Sequence, residues 1–179
     1  MRQTAFGIAF SALVLASGLT TNPVPGQTSA TKPINGKSTS SSSNRVASST
    51  FNTNDLEKSV FDRINQYRVS KGLSKLTLDS KISKRARTHS QNMASGKIVF
   101  SHHGFEKRVK SIPIRFQSAS ENVAFNQGYP DPAQEAVSGW IKSPGHLTNL
   151  KGSYNLTGIG VAANNQGEVY LTQIFLRSR

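Results

Sequence analysis

The chain has 179 residues, of which 35% are hydrophobic and 8% aromatic, and it contains no cysteine. This length allows one modest globular domain together with polar segments, and the lack of cysteine excludes a fold that depends on disulfide bonds. The formal net charge of +13 predicts attraction to anionic partners.

Residues 1–19 have the composition of a secretory signal peptide. A single positive charge at Arg2 precedes an apolar run that is too short for a comfortable membrane span, and small residues follow it. Small residues at the spacing of a cleavage site occur at 16–18 and again at 28–30, so the cleavage point stays open, as does an uncleaved N-terminal anchor. The segment predicts a protein that is secreted, periplasmic or held at the cell envelope.

Residues 20–50 are rich in Ser, Thr, Asn, Pro and Gly. Because such a segment has few large apolar side chains to bury, we expect a disordered linker. The folded domain is then residues 51–179, with 18 of the 22 basic residues, all 9 acidic residues and therefore a net charge of +9. A cysteine-free exported domain is more typical of bacteria than of eukaryotes.

Two helices are predicted at the start of this domain. Asn54 and Glu57 have the spacing of a capping box, and apolar residues recur at helical spacing after them. Asp79 offers the cap of a second helix that ends at Gly96, and His89 lies in its apolar stripe. We interpret His89 as a buried histidine with satisfied hydrogen bonds. The opposite face of this helix is basic and predicted to be solvated, with Lys81, Lys84, Arg85 and Arg87.

Residues 100–109 predict a turn followed by a short helix. His102 and His103 are adjacent in that turn and must point in different directions, so at most one of them can share a site. A strand is predicted over 119–125, where apolar and polar residues alternate. Within it Glu121 shares a face with the apolar residue two positions on, and a carboxylate that enters a core needs a partner.

A further helix is predicted to begin after Asp131, which has the N-cap position, with Pro132 at the first helical position. Pro144 and Gly145 are expected to end it, with the glycine in a turn of positive φ. His146 would then leave a buried helix in a rigid turn, which makes it a candidate site residue.

The chain ends in a predicted β-hairpin. Alternating apolar segments at 157–163 and 168–176 flank the turn residues 164–167. Glu168 is interpreted as a solvated charge at the strand end.

Five motifs in this order resemble the CAP superfamily, which comprises cysteine-rich secretory proteins, antigen 5 and pathogenesis-related proteins and is also known by its SCP domain. They are FSHHG at 100–104, ENVA at 121–124, W-x-x-S-P-G-H-x-x-N at 140–149, GIGVA at 158–162 and YLTQIF at 170–175. The likeness runs from about residue 55 to the C-terminus and is closest to the cysteine-free bacterial branch.

The resemblance implies an α+β fold, a three-layer α-β-α sandwich with a central, mainly antiparallel sheet and an exposed cleft. In some family members, histidines and acidic residues of this cleft hold a divalent metal, often zinc. The matching positions are His102, Glu121 and His146, which the resemblance implies as ligand-binding residues and as candidate zinc ligands, with His103 as the alternative to His102. A further family histidine aligns with Tyr170 and a second acid has no counterpart, so the implied metal site is incomplete.

Several functions are compatible with these residues. Two imidazoles and a carboxylate can hold zinc with an open coordination position, or without a metal can orient a ligand or serve only structure. The preferred hypothesis is an exported binding protein that engages a lipid, glycan or peptide ligand. Its expected partners are anionic envelope components, namely lipid, polysaccharide or wall polymer, with peripheral membrane contact.

The alternative is a metal-assisted hydrolase of peptide or cell-wall substrates in which Glu121 acts as the base with one of the histidines. Nucleic acid is not an expected partner. Export argues against a genomic role, and the basic residues are not interleaved with the aromatic residues on which single strands stack.

Overall fold

The computed structural model describes residues 52–179. In chain order the elements are α1 (Thr53–Ser70), β1 (Thr77–Leu78), α2 (Ser80–Ala94), α3 (Phe105–Lys110), β2 (Phe116–Gln127), α4 (Pro132–Lys142), α5 (Pro144–Lys151), β3 (Leu156–Ala163) and β4 (Glu168–Ser178). None of the helices in this part of the chain is long and apolar enough to cross a membrane. The predicted signal peptide (1–19) and linker (20–50) lie outside the described residues.

The four strands form one sheet in the order β1-β3-β4-β2. β3 and β4 form the predicted hairpin, in which Ala163 pairs with Val169 next to the turn. β2 runs antiparallel to β4, and only the two-residue β1 is parallel to its neighbour β3. The sheet is therefore mainly antiparallel, as the resemblance implies.

Helices cover both faces of this sheet. Because side chains alternate along a strand, Phe175 packs in one core with residues of α1, α4 and α5, whereas Ile174 and Leu176 pack in a second core with residues of α2 and α3. The structure is thus an α+β protein with three layers, which confirms the fold class.

Two glycines of β3 hold α2 in direct backbone contact with the sheet. A Cβ atom on Gly158 would overlap the backbone of α2 at Ser83, and one on Gly160 would overlap it at Arg87. Because no larger residue fits without moving the helix, these glycines fix the height of α2 above the sheet. They also fix the position of His89, which lies on the same helix.

The helix starts agree only in part with the sequence prediction. Asp79 caps α2 as expected and accepts hydrogen bonds from the backbone N–H groups of the first turn. The N-cap of α1 is Asn52, not Asn54, so the predicted capping box is wrong. Its Glu57 is buried and forms an ion pair with Arg87 across to α2, at 2.6 Å. The carboxylate of Glu57, which the local sequence pattern assigned to a helix cap, therefore forms a tertiary ion pair between α1 and α2.

Side chains from α4 and α5 cover β2, which is an edge strand of the sheet. Trp140 Nε1 donates to the backbone oxygen of Val123 at 3.0 Å, and Asn149 Nδ2 donates to that of Glu121 at 3.1 Å. Exposed edge strands invite pairing with other chains, and these bonds occupy the outward carbonyls. Both residues belong to the W-x-x-S-P-G-H-x-x-N motif, whose His146 is thereby brought to the same edge.

Candidate functional site

His146 lies on a helix, so the prediction that it leaves α4 in a turn is wrong. α4 ends at Lys142, Ser143 alone is extended, and Pro144 starts α5 at once. Proline disfavours the helical conformation in the residue before it but is well suited to the first position of a new helix. Gly145 is therefore helical and does not take the expected positive φ.

The structure brings His102 and Glu121 into contact. Nδ1 of His102 lies 3.0 Å from Oε1 of Glu121, and its ring centroid lies 6.4 Å from that of His146. His103 is exposed, so of the two adjacent histidines it is His102 that lies at this position. Because a carboxylate can only accept, Nδ1 of His102 carries the proton of their hydrogen bond.

Glu121 and His146 are buried and His102 is half-buried, which differs from the expected exposed cleft. The side chains of His102 and Glu121 are 9% and 1% exposed, and His146 is 1% exposed. Asn149 and Asn122 add amide groups beneath them, with a side-chain hydrogen bond of 2.8 Å between the two. The arrangement is a packed polar cluster at the β2 edge.

Arg108 is the residue of this cluster that the sequence prediction missed. Its Nε and Nη2 donate to the two carboxylate oxygens of Glu121 at 2.8 and 2.7 Å, a bidentate ion pair. Such paired, charge-assisted bonds are the strongest hydrogen bonds between side chains. A signal was present, because Arg108 follows Phe105 by three residues and so lies on the apolar side of α3.

His89 adds a second partner for Arg108. Nε2 of His89 lies 2.8 Å from the backbone oxygen of Ser101, so Nε2 carries the proton. Nδ1 then accepts from Nη1 of Arg108 at 3.1 Å. Burial lowers the pKa of His89, with the Arg108 charge adding to this effect and Glu121 opposing it. The histidine is satisfied, as predicted, but it is also part of the cluster.

Tyr170, which the resemblance aligns with a further family histidine, makes aromatic contacts. The ring of Tyr170 lies 5.2 Å from that of Phe125 and 6.5 Å from that of Phe100. Its hydroxyl donates to Glu168 at 3.2 Å, and burial together with this carboxylate raises the pKa of Tyr170. Glu168 is therefore hydrogen bonded and half-buried, which differs from the solvated charge predicted.

Residues 61–175 match the model of the cysteine-rich secretory protein family, CAP. The chain belongs to the CAP family. The match includes β1, β2, β3 and most of β4, together with the helices α2, α3 and α5 that supply His89, Arg108 and His146.

Two of the proteins similar to this CAP domain come from Bacillus species. YkwD, an uncharacterized protein of Bacillus subtilis, is 33% identical over 141 residues, which are 75% of this chain and 52% of YkwD. An extracellular Bacillus anthracis protein containing an SCP domain is 28% identical with a TM-score of 0.59, over 70% of this chain and 41% of that one. The matched part of this chain thus corresponds to about half the length of YkwD and to less than half the length of the Bacillus anthracis protein.

A more distant structure shows the same fold. An outer surface protein of Borrelia burgdorferi is 17% identical with a TM-score of 0.61, and the likeness covers 72% of this chain and 97% of that protein.

As arranged, His102, Glu121 and His146 of this CAP domain do not fit a divalent metal. Both oxygens of Glu121 already accept hydrogen bonds from Arg108, whose positive charge lies within 2.8 Å of them. A divalent cation at this distance would be repelled by the guanidinium charge. Within residues 52–179, no group of three or more His, Asp or Glu side chains is arranged to hold a metal ion.

Proposed function

We propose that this chain is an exported CAP domain of the cell envelope that binds an anionic ligand and does not hydrolyse it. The proposal keeps the lipid, glycan and peptide classes inferred from the sequence. It narrows them to ligands that carry phosphate or carboxylate groups.

The observation that carries this proposal is a cavity of about 350 Å³ between α2 and α3. Three basic residues line it, namely Arg85, Lys107 and Arg108, and none of the described residues that line it is acidic. Its other lining residues are polar or glycine: Thr88, His89, Asn92, Gly104 and Ser111. Ligand sites of comparable volume are common in proteins. The charge of Arg108 is balanced by Glu121, whereas Arg85 and Lys107 add two positive charges that no acidic lining residue offsets.

The chemistry of the lining favours oxyanions. Guanidinium groups bind phosphate and carboxylate through paired hydrogen bonds, and Arg85 and Lys107 are not paired with any described acidic side chain. The charge of the surrounding domain adds long-range attraction to polyanions such as anionic lipids and wall polymers. Export is supported by the N-terminal sequence and by the relative described as extracellular.

The cavity reaches the buried cluster. His89 and Arg108 belong to both, so an anion bound in the cavity would contact the outer side of the ion pair that holds Glu121. Glu121 itself is a poor candidate for a hydrolytic base, because its oxygens are engaged with Arg108 and His102. The hydrolase alternative is for this reason not favoured.

Binding can be tested with isolated cell wall and with vesicles that contain an anionic phospholipid. The variant pair Arg85→Gln and Lys107→Gln removes two charges from the cavity. The control pair Lys142→Gln and Lys151→Gln removes two exposed charges from α4 and α5, on the other side of the sheet. Both double variants have the same net charge, so a difference between them reports the cavity and not the overall field.

We expect the cavity variant to lose at least about tenfold in affinity, or about 1.4 kcal/mol, at physiological salt. The control variant should lose less than half as much in free energy. Equal losses in both variants, abolished together by high salt, would mean that only nonspecific charge attraction operates. Release of new ends from wall or peptide substrates by the purified protein would restore the hydrolase alternative.

A further inference from the structure

Four acceptors from three separate segments hold the guanidinium of Arg108. Nε and Nη2 donate to the carboxylate of Glu121 at 2.8 and 2.7 Å. Nη1 lies 3.1 Å from Nδ1 of His89 and 3.3 Å from the backbone oxygen of His103. β2, α2 and the turn before α3 therefore converge on one cation, and the Arg108 side chain is only 10% exposed.

These acceptors are also the ligand types of a metal-ion site. Carboxylate oxygens, an imidazole nitrogen and a carbonyl oxygen all bind divalent cations. His89 donates from Nε2 to the backbone of Ser101 and presents the lone pair of Nδ1 to the guanidinium. A histidine that donates one N–H to a carbonyl while its other nitrogen faces a cation has the orientation typical of metal-binding histidines.

We propose that these four atoms form a cation site that the chain fills with its own guanidinium, and that removal of the Arg108 side chain opens it to a free cation. The site shares Glu121 with the zinc set expected from sequence and differs from it in the other ligands, because its nitrogen comes from His89 and its carbonyl from His103. Two of its residues, Arg108 and His89, also line the proposed anion cavity. The two inferences are tested separately, because this one is measured as the stability of Arg108→Ala and the other as ligand binding by the Arg85→Gln and Lys107→Gln pair.

The energetic basis is the charge of Glu121. With Arg108 in place the buried carboxylate is neutralised, and no free cation is needed. In Arg108→Ala the carboxylate loses its guanidinium partner, and a buried charge without a counter-ion strongly destabilises a fold. A free guanidinium ion reproduces the planar fork of the lost side chain, and zinc matches the mixed nitrogen and oxygen ligands.

The test is a thermal-stability titration of wild type and Arg108→Ala, followed by the fluorescence of the single tryptophan, Trp140. Each protein receives micromolar zinc or millimolar guanidinium chloride, far below the molar range in which guanidinium denatures. Sodium chloride at equal ionic strength is the control. A ligand that binds only the folded state raises the midpoint in proportion to its affinity.

We expect Arg108→Ala to be stabilised by guanidinium or zinc with at least about tenfold higher affinity than wild type. The wild-type midpoint should not change with either cation. Arg108→Ala combined with Glu121→Gln should lose the response, because the carboxylate that attracts the cation is gone. Arg108→Lys should also not respond, because its own ammonium occupies the site.

The proposal is overturned if neither cation stabilises Arg108→Ala beyond the sodium chloride control. It is equally overturned if the response persists without the Glu121 charge, or if zinc stabilises wild type. Should Arg108→Ala be unfolded without additive, the same series is measured as the yield of refolding from urea. Recovery with guanidinium or zinc then supports the proposal, and failure with both contradicts it.

Discussion

Replacement of Glu121 by glutamine should destabilise the domain far more than a surface substitution. The side chain keeps its shape but loses its charge, which leaves the guanidinium of Arg108, only 10% exposed, without its counter-ion. Three hydrogen bonds to a charged acceptor, at 2.7, 2.8 and 3.0 Å, are weakened together. Removing one partner of a buried ion pair costs about 3–5 kcal/mol. For a domain of this size that corresponds to a fall of roughly 10–20 °C in the thermal midpoint.

Urea and thermal unfolding followed by the fluorescence of Trp140 would measure this loss. Glu106→Gln is the matched control on α3, because Glu106 pairs with Lys110 at 3.4 Å while their side chains are 62% and 66% exposed. An exposed pair of this kind contributes less than about 0.5 kcal/mol. If the free energy of unfolding of Glu121→Gln lies within about 1 kcal/mol of that of wild type, the ion pair between Glu121 and Arg108 is not desolvated as described. Adding Arg108→Met to Glu121→Gln should recover part of the loss, because it removes the unpaired charge.

Three further outcomes follow from the same structure. Burial lowers the pKa of His89, so the stability that neutral His89 contributes is complete above about pH 6.5 and is lost as the pH falls through the lowered pKa. The loss is at most about 1.4 kcal/mol per pH unit. In His89→Gln the free energy of unfolding should therefore fall less steeply with decreasing pH than in wild type, and an equally steep fall would contradict this. Gly160→Ala should cost about 3 kcal/mol or more in urea unfolding, because the new Cβ overlaps the backbone of α2; a neutral result would show that the helix can move away. Arg68→Met should cost about 3 kcal/mol or more, because the buried guanidinium donates to backbone carbonyls at Ser74, Leu150 and Gly152; Arg63→Met, at a half-exposed pair, serves as its control.

Local patterns predicted those parts of the fold in which one signal dominates. The cap at Asp79 and the hairpin turn at 164–167 have few alternatives, and both are where the sequence places them. Pro144 carries two opposite signals, because it ends one helix and favours the start of another. Whether Pro144 starts a new helix depends on the packing of α5 against β2. A helix of eight residues is too short for its apolar periodicity to predict this tertiary contact.

Only those residues of the candidate site that belong to the family motifs could be predicted from the sequence. The resemblance selected His102 and Glu121, which the structure joins by a hydrogen bond. The motifs did not predict that Arg108 and His89 belong to the cluster, because their contacts join different elements. Arg108 is 13 residues from Glu121 and 19 residues from His89 along the chain. Helical periodicity indicates which face of α3 is buried, but it does not indicate which charge that face will meet.

The hydrogen bonds from Trp140 and Asn149 to the outer carbonyls of β2 allow α4 and α5 to protect that edge strand from pairing with another chain. His146 lies one turn before Asn149, so local unwinding of α5 would uncover the polar cluster and the backbone oxygen of Glu121 on β2 together. Such an opening would create a template for strand-by-strand self-association. Variants weakened in α5 should therefore be examined for filaments, since oligomers of this kind would form while most of the sheet stays folded.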